Sequence, residues 1–123
     1  RAAAERMAAA IAPHVDRENR CLFVFDGPTA LYRLSGSCLP TRFIYPDHLN
    51  NALEREALGV RQEDEVARIL AARPQVIVIA DTALTPQNPA ALGQVRAAIA
   101  RGYRPLAQEE FHKRTVRAFV LRE

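Results

Sequence analysis

The run Val76-Ile77-Val78-Ile79-Ala80 constrains the chain more than any other. It puts four β-branched residues in succession, followed at once by Asp81 and preceded by Pro74-Gln75. Such side chains fit a pleated strand better than a helix. A strand apolar at every position, not at every second one, has to be covered on both faces. Gln75–Ala80 therefore reads as a central strand, with helices on both sides of its sheet. Leu22-Phe23-Val24-Phe25 is a second unbroken apolar run and reads the same way.

Helical signals alternate with these strands. Residues 1–14 place Met7 and Ile11 on a helical period in an Ala-rich background, with Pro13 as the stop. Pro28 suits a first turn and Gly36 a left-handed terminus, which predicts a helix over about 28–34. Thr41–Tyr45 is expected to be a strand closed by Pro46-Asp47. A helix follows, capped by Asp47 or Asn50, running to Leu58 and ended by Gly59. Glu63, Asp64 and Glu65 load the first turn of another helix, which stops before Pro74. Asn88-Pro89 begins the last helix, ending at Arg101-Gly102. Tyr103–Ala107 and Thr115–Leu121 read as an antiparallel pair across the charged connection 108–114. The expected fold is α/β, a three-layer α/β/α arrangement around a mainly parallel sheet of about five strands, with the C-terminal strand as an antiparallel edge.

The chain has 123 residues, long enough for one domain with its own core. Its 49% hydrophobic and 25% charged residues argue against disorder. No apolar run approaches the roughly 20 residues of a membrane span. The net charge of +3 comes from scattered arginines, not from a basic stripe interleaved with aromatics, so nucleic acid is not expected as a partner.

Ligands in such sheets sit beyond the carboxyl ends of the strands. Asp26 and Gly27 follow the first strand, Asp47 and His48 the second, Asp81 and Thr82 the third, so these six residues form the candidate ligand-binding group. Paired carboxylates with a histidine suit a metal or acid–base work. Aspartates at these positions also serve simply as turn and capping residues. Asp26-Gly27-Pro28-Thr29 has one glycine and loses a donor at Pro28, unlike a phosphate loop. No cysteine–histidine spacing points to zinc, and no cofactor is implied. Cys21 and Cys38 would lie at the amino ends of neighbouring strands, about 4.8 Å apart, within reach of a disulfide. Two free thiols behaving as small hydrophobes are the other reading.

Taken together, Cys21-Leu22-Phe23-Val24-Phe25-Asp26-Gly27-Pro28, Leu31-Tyr32-Arg33-Leu34-Ser35-Gly36 and Pro40-Thr41-Arg42-Phe43-Ile44-Tyr45-Pro46-Asp47-His48-Leu49 resemble the C-terminal tail of one membrane enzyme family. These are the polytopic glycosyltransferases that use polyprenyl-phosphate sugars, related to the protein mannosyltransferases and aminoarabinose transferases. The resemblance covers mainly residues 21–51 and, more loosely, 76–81. It implies a single soluble extracytoplasmic domain over 1–123, cut from a larger protein, with residues 1–18 leading from a membrane segment. It implies a periplasmic setting at a bacterial inner membrane. The partners it implies are the membrane-embedded part of the same polypeptide and a lipid-linked sugar or its acceptor. The family's catalytic carboxylates lie in membrane-loop motifs without a counterpart here, so no catalytic residue carries over. A free-standing sugar or nucleotide binder and a structural interaction module are the alternatives.

Overall fold

A computed structural model describes residues 2–43, 45–52, 61–83 and 86–123, with Asp47 described by its backbone. The elements are α1 (Ala2–Ile11), a 3-10 turn (Ala12–His14), β1 (Leu22–Val24), α2 (Ala30–Ser35), α3 (Asp47–Asn50), α4 (Gln62–Ala71), β2 (Val76–Ala80), α5 (Pro89–Gly102), β3 (Tyr103–Phe111) and β4 (Arg114–Leu121). The protein is mixed α/β, built on one four-stranded mixed sheet in the order β1-β2-β4-β3.

Local chemistry sets most boundaries. Pro13 turns α1 into the 3-10 turn. Gly36 ends α2 at φ 75°, a left-handed conformation that costs glycine little. Asn88 caps α5 by accepting the N–H groups of Ala90 and Ala91, with Pro89 at the first helical position. His112 and Lys113, both at positive φ, form the two-residue turn between β3 and β4, the primed geometry that matches strand twist.

The sheet separates two apolar clusters by the period-two alternation of its strands. Leu22, Val24, Val76, Val78, Val116, Ala118 and Val120 join Met7 and Ile11 of α1 and Leu31 and Tyr32 of α2 on one face. Phe23, Phe25 and Ile77 join Leu49, Val66, Ile69, Ala91 and Val95, from α3, α4 and α5, on the other.

Three expectations are corrected. Among the described residues the sheet has four strands, not about five, and β1–β2 is its one parallel pair; β2–β4 and β4–β3 are antiparallel. Thr41–Tyr45 forms no strand among its described residues. The Thr41 Oγ1 accepts the Phe43 N–H at 3.1 Å and its hydroxyl donates to Glu65 at 2.6 Å, while Arg68 donates to the Pro40 carbonyl at 3.1 Å. A side chain that takes the nearby N–H competes with a ladder, and here α4 holds the segment. The C-terminal strand is not the edge: β4 lies between β2 and β3, because Phe119 packs on one face while Val116, Ala118 and Val120 are buried on the other. The expected helix end at Leu58-Gly59 and the strand residue Ile44 lie outside the described residues.

With no strand formed by the described residues of Thr41–Tyr45, β1 is an edge strand among the described residues, and its outward N–H groups need acceptors. The Leu22 N–H donates to Ser37 Oγ at 2.8 Å and the Val24 N–H to the Tyr32 hydroxyl at 2.9 Å. Burial pushes the Tyr32 phenol up to about 12, so it stays protonated. Cys21 and Cys38 are joined by a disulfide. Cys38 does not precede a strand; it reaches Cys21 through the loop after α2, where its N–H donates to the Asp16 carbonyl at 2.7 Å.

Replacing Tyr32 with Phe keeps the ring and removes the acceptor for a buried N–H. Tyr32→Phe is expected to lower unfolding free energy by about 1–3 kcal/mol, measured as a shifted urea midpoint with an unchanged slope.

Candidate functional site

The carboxyl ends of β1 and β2 meet the start of β4, and their polar residues are drawn together by an arginine. Arg114 Nη1 lies 3.2 and 3.1 Å from the two carboxylate oxygens of Asp26 and donates at 2.9 Å to the Thr82 carbonyl. Both side chains of the ion pair are only 12% exposed, so solvent screens it weakly. Gly27 sits at φ 151°, and a Cβ there would lie 3.0 Å from Val78 Cγ1 and 3.4 Å from Val116 Cγ1. The turn after β1 therefore requires glycine for both its backbone conformation and its close approach.

Asp81 is used by the same hairpin. Its Oδ1 accepts the Thr115 N–H at 3.1 Å, and its own N–H donates to the Thr115 carbonyl at 3.0 Å. Partial desolvation opposes ionisation of Asp81, yet hydrogen bonds from Thr115 and Thr82, together with the Arg117 charge, hold its carboxyl below the ordinary range. Beside this edge a depression of about 320 Å³ is lined by Ile79, Asp81, Arg96, Ile99, Arg117 and Phe119.

His48 belongs to a second cluster. Its ring meets Phe43 and Tyr45 edge-on, at centroid distances of 6.2 and 5.7 Å. Its carbonyl accepts from Gln62 Nε2, which also donates to the Asn51 carbonyl. Asn88 Nδ2 donates to Gln62 Oε1 at 2.8 Å and to Glu63 Oε1 at 3.2 Å. Asn50 Nδ2 donates to the Phe25 carbonyl at 2.7 Å, and the Asn88 N–H to the Asn50 carbonyl at 2.7 Å. Asn50, Gln62 and Asn88 are all buried. Among the described residues His48 Nδ1 and Asn50 Oδ1 are buried without a hydrogen-bond partner.

The structure thus unites Asp26, Gly27, Asp81 and Thr82 around the base of the hairpin and places His48 in a separate amide cluster; the Asp47 side chain lies outside the described residues. Sequence reasoning missed Arg114 and Gln62, and read Asn50 and Asn88 only as caps. Arg114 sits in a charged stretch with no periodicity, and isolated amides carry no spacing signal. Among the described residues no group of three or more His, Cys, Asp or Glu is placed to hold a metal ion. No helix among them is long and apolar enough to cross a membrane. No family model, curated protein or solved structure matches this chain.

Removing one partner of a buried ion pair strands the other charge. Arg114→Met is expected to cost about 3–5 kcal/mol of stability, and the double variant Arg114→Met/Asp26→Leu to recover much of it, measured by denaturant unfolding. The Asp81 carboxyl titrates lower in the folded chain than in an unfolded one, so its contribution is complete above the ordinary carboxylate range and is lost as pH falls through its folded value. A melting-temperature profile against pH is expected to decline across that acid interval, with the decline flattened in Asp81→Asn.

Proposed function

We propose that this chain is a non-catalytic extracytoplasmic accessory domain of a membrane glycosyltransferase that takes sugar from a polyprenyl-phosphate donor, and that it positions the acceptor or supports the membrane-embedded part. The observation that carries the reading is the Asp26–Arg114 pair. The carboxylate at the mouth of β1, where an α/β fold would offer a reactive group to a ligand, is neutralised by the protein's own hairpin. The segment that carries the family resemblance is spent on structure in the same way: Tyr32 and Ser37 serve the edge of β1, Gly36 ends α2, and Thr41 anchors to α4. The Cys21–Cys38 disulfide supports an oxidising, periplasmic setting. The apolar clusters on alternate strand residues support a three-layer arrangement, with α1 and α2 against one face of the sheet and α3, α4 and α5 against the other.

A second reading, a small-molecule binding domain, is favoured by one feature. Asn50 Oδ1 and His48 Nδ1 lie buried without hydrogen-bond partners among the described residues, near the end of β1. Buried polar atoms of this kind require an explanation, and a ligand or an ordered water would supply it.

The first reading is tested on the natural gene and the second on the isolated chain. Fused after Glu123 of the full-length protein, alkaline phosphatase is expected to be active and a cytoplasm-dependent fluorescent reporter dark, with apolar segments of roughly 20 residues encoded upstream. The opposite reporter pattern would remove the accessory-domain reading. A saturable rise in melting temperature of the isolated chain with a sugar, nucleotide or divalent metal would move the binder to first place.

A further inference from the structure

The outward face of α2 and the loop beside it combine exposed leucines with unpaired arginines. Three large apolar side chains are exposed among the described residues, and two are here: Leu34 at 37% and Leu39 at 54%. Ala30, Arg33 and Leu34 are all exposed, and their i, i+3, i+4 spacing puts them on one side of the helix. A shallow depression of about 400 Å³ joins Ala30 and Arg33 to Arg17, Thr29 and Leu39. Arg17 and Arg33 are exposed, and neither forms an ion pair among the described residues.

Two links fix the loops that carry these groups. Residues 16 and 38 are joined through the Cys38 N–H and the Asp16 carbonyl, and the adjacent disulfide ties Cys38 to Cys21. Asp16, one of the two acidic residues flanking Arg17 in the chain, turns one carboxylate oxygen onto the N–H groups of Glu18, Asn19 and Arg20 at 2.9, 2.9 and 3.0 Å. Those bonds hold its carboxyl below the ordinary range and commit it to its own loop. Arg20 adds a cation beside Asp16, and Glu18 is the remaining exposed acid of the loop. The face therefore offers guanidinium groups alongside apolar side chains on a preformed support.

We propose that this face docks on an anionic phospholipid surface, with Arg17 and Arg33 at the level of the phosphates and Leu34 and Leu39 reaching the acyl boundary. A bilayer supplies both requirements side by side. Its phosphates complement the unpaired arginines, and its interface accepts leucine without a shaped pocket. Arginine stems can lie along the apolar part while their heads stay with the phosphates. An acidic soluble protein would answer the charge but leave the exposed leucines without a stated partner. The inference is independent of the accessory-domain reading, because vesicle binding by the isolated chain is decided by this face alone.

The test is co-sedimentation of the whole chain, with its disulfide intact, with vesicles of phosphatidylcholine alone and of phosphatidylcholine mixed with phosphatidylglycerol. Binding is expected on the mixed vesicles and is expected to weaken with salt. The pair Arg17→Gln/Arg33→Gln should reduce partitioning about thirtyfold, taking each arginine near an anionic surface at its usual weight. Leu34→Ser/Leu39→Ser should reduce it about tenfold. The pair Arg96→Gln/Arg101→Gln, which removes equal charge from α5, should leave it nearly unchanged. All substitutions are at exposed positions, and an unchanged thermal melt reports an intact fold. The proposal is overturned by absence of binding to the mixed vesicles, by equal losses from both arginine pairs, or by capture on a soluble polyanion without vesicle binding.

Discussion

The outward edge of β1 carries backbone N–H groups that no strand pairs among the described residues, and the segment following it is organised around them. A buried donor left without an acceptor costs about as much as several good surface contacts supply. Ser37 and Tyr32 provide the acceptors, which fixes where α2 must lie and how the chain must turn after Gly36. The Cys21–Cys38 bond joins the same two stretches at their ends. At the other end of the strand, Asn50 takes the Phe25 carbonyl and thereby places α3. A three-residue strand thus determines the course of the chain from Cys21 to Asn50.

The two ends of the sheet are closed by different chemistry. At the amino end of β1 the closure is covalent and local in sequence. At the carboxyl end it is ionic and distant, since Arg114 returns from the far hairpin to Asp26 and Thr82. Thr115 and Asp81 add a reciprocal pair of hydrogen bonds on the same connection. The outcome is an α/β protein whose usual ligand edge is occupied by its own β4.

What the sequence made legible was local. Val76–Ala80 reads as a covered strand because β-branched residues leave few alternatives; α5 is framed by Asn88-Pro89 and Gly102, and α2 by Gly36. Thr41–Tyr45 has strand composition, but the Thr41 hydroxyl and the hold of Arg68 on Pro40 decide its conformation, and neither is visible in a hydropathy pattern. The place of β4 depends on what lies beside β2 in space. Its alternation of Val116, Ala118 and Val120 with Arg117 and Phe119 suits an edge as well as an interior position. In the candidate site the aspartates were visible because they end strands. The roles of Arg114, Asn50 and Gln62 were not, because their partners are between 11 and 88 residues away.

The pairings of β2 make different demands on chain entropy. Joining β4 closes the stretch between Ala80 and Val116, whereas joining β1 requires closing the longer stretch between Val24 and Val76. Loop closure becomes more costly with length, though slowly. The disulfide joins Cys21, next to β1, to Cys38 within that longer stretch, so the covalent path from Leu22 to Val76 can run through the bond and bypass the residues between the two cysteines. Reducing it would loosen the wrapping of the sheet's edge and restore the full chain length between its parallel strands. The bond therefore holds the local neighbourhood of β1 and also trims the long-range closure, though only slightly, because closure entropy changes slowly with length.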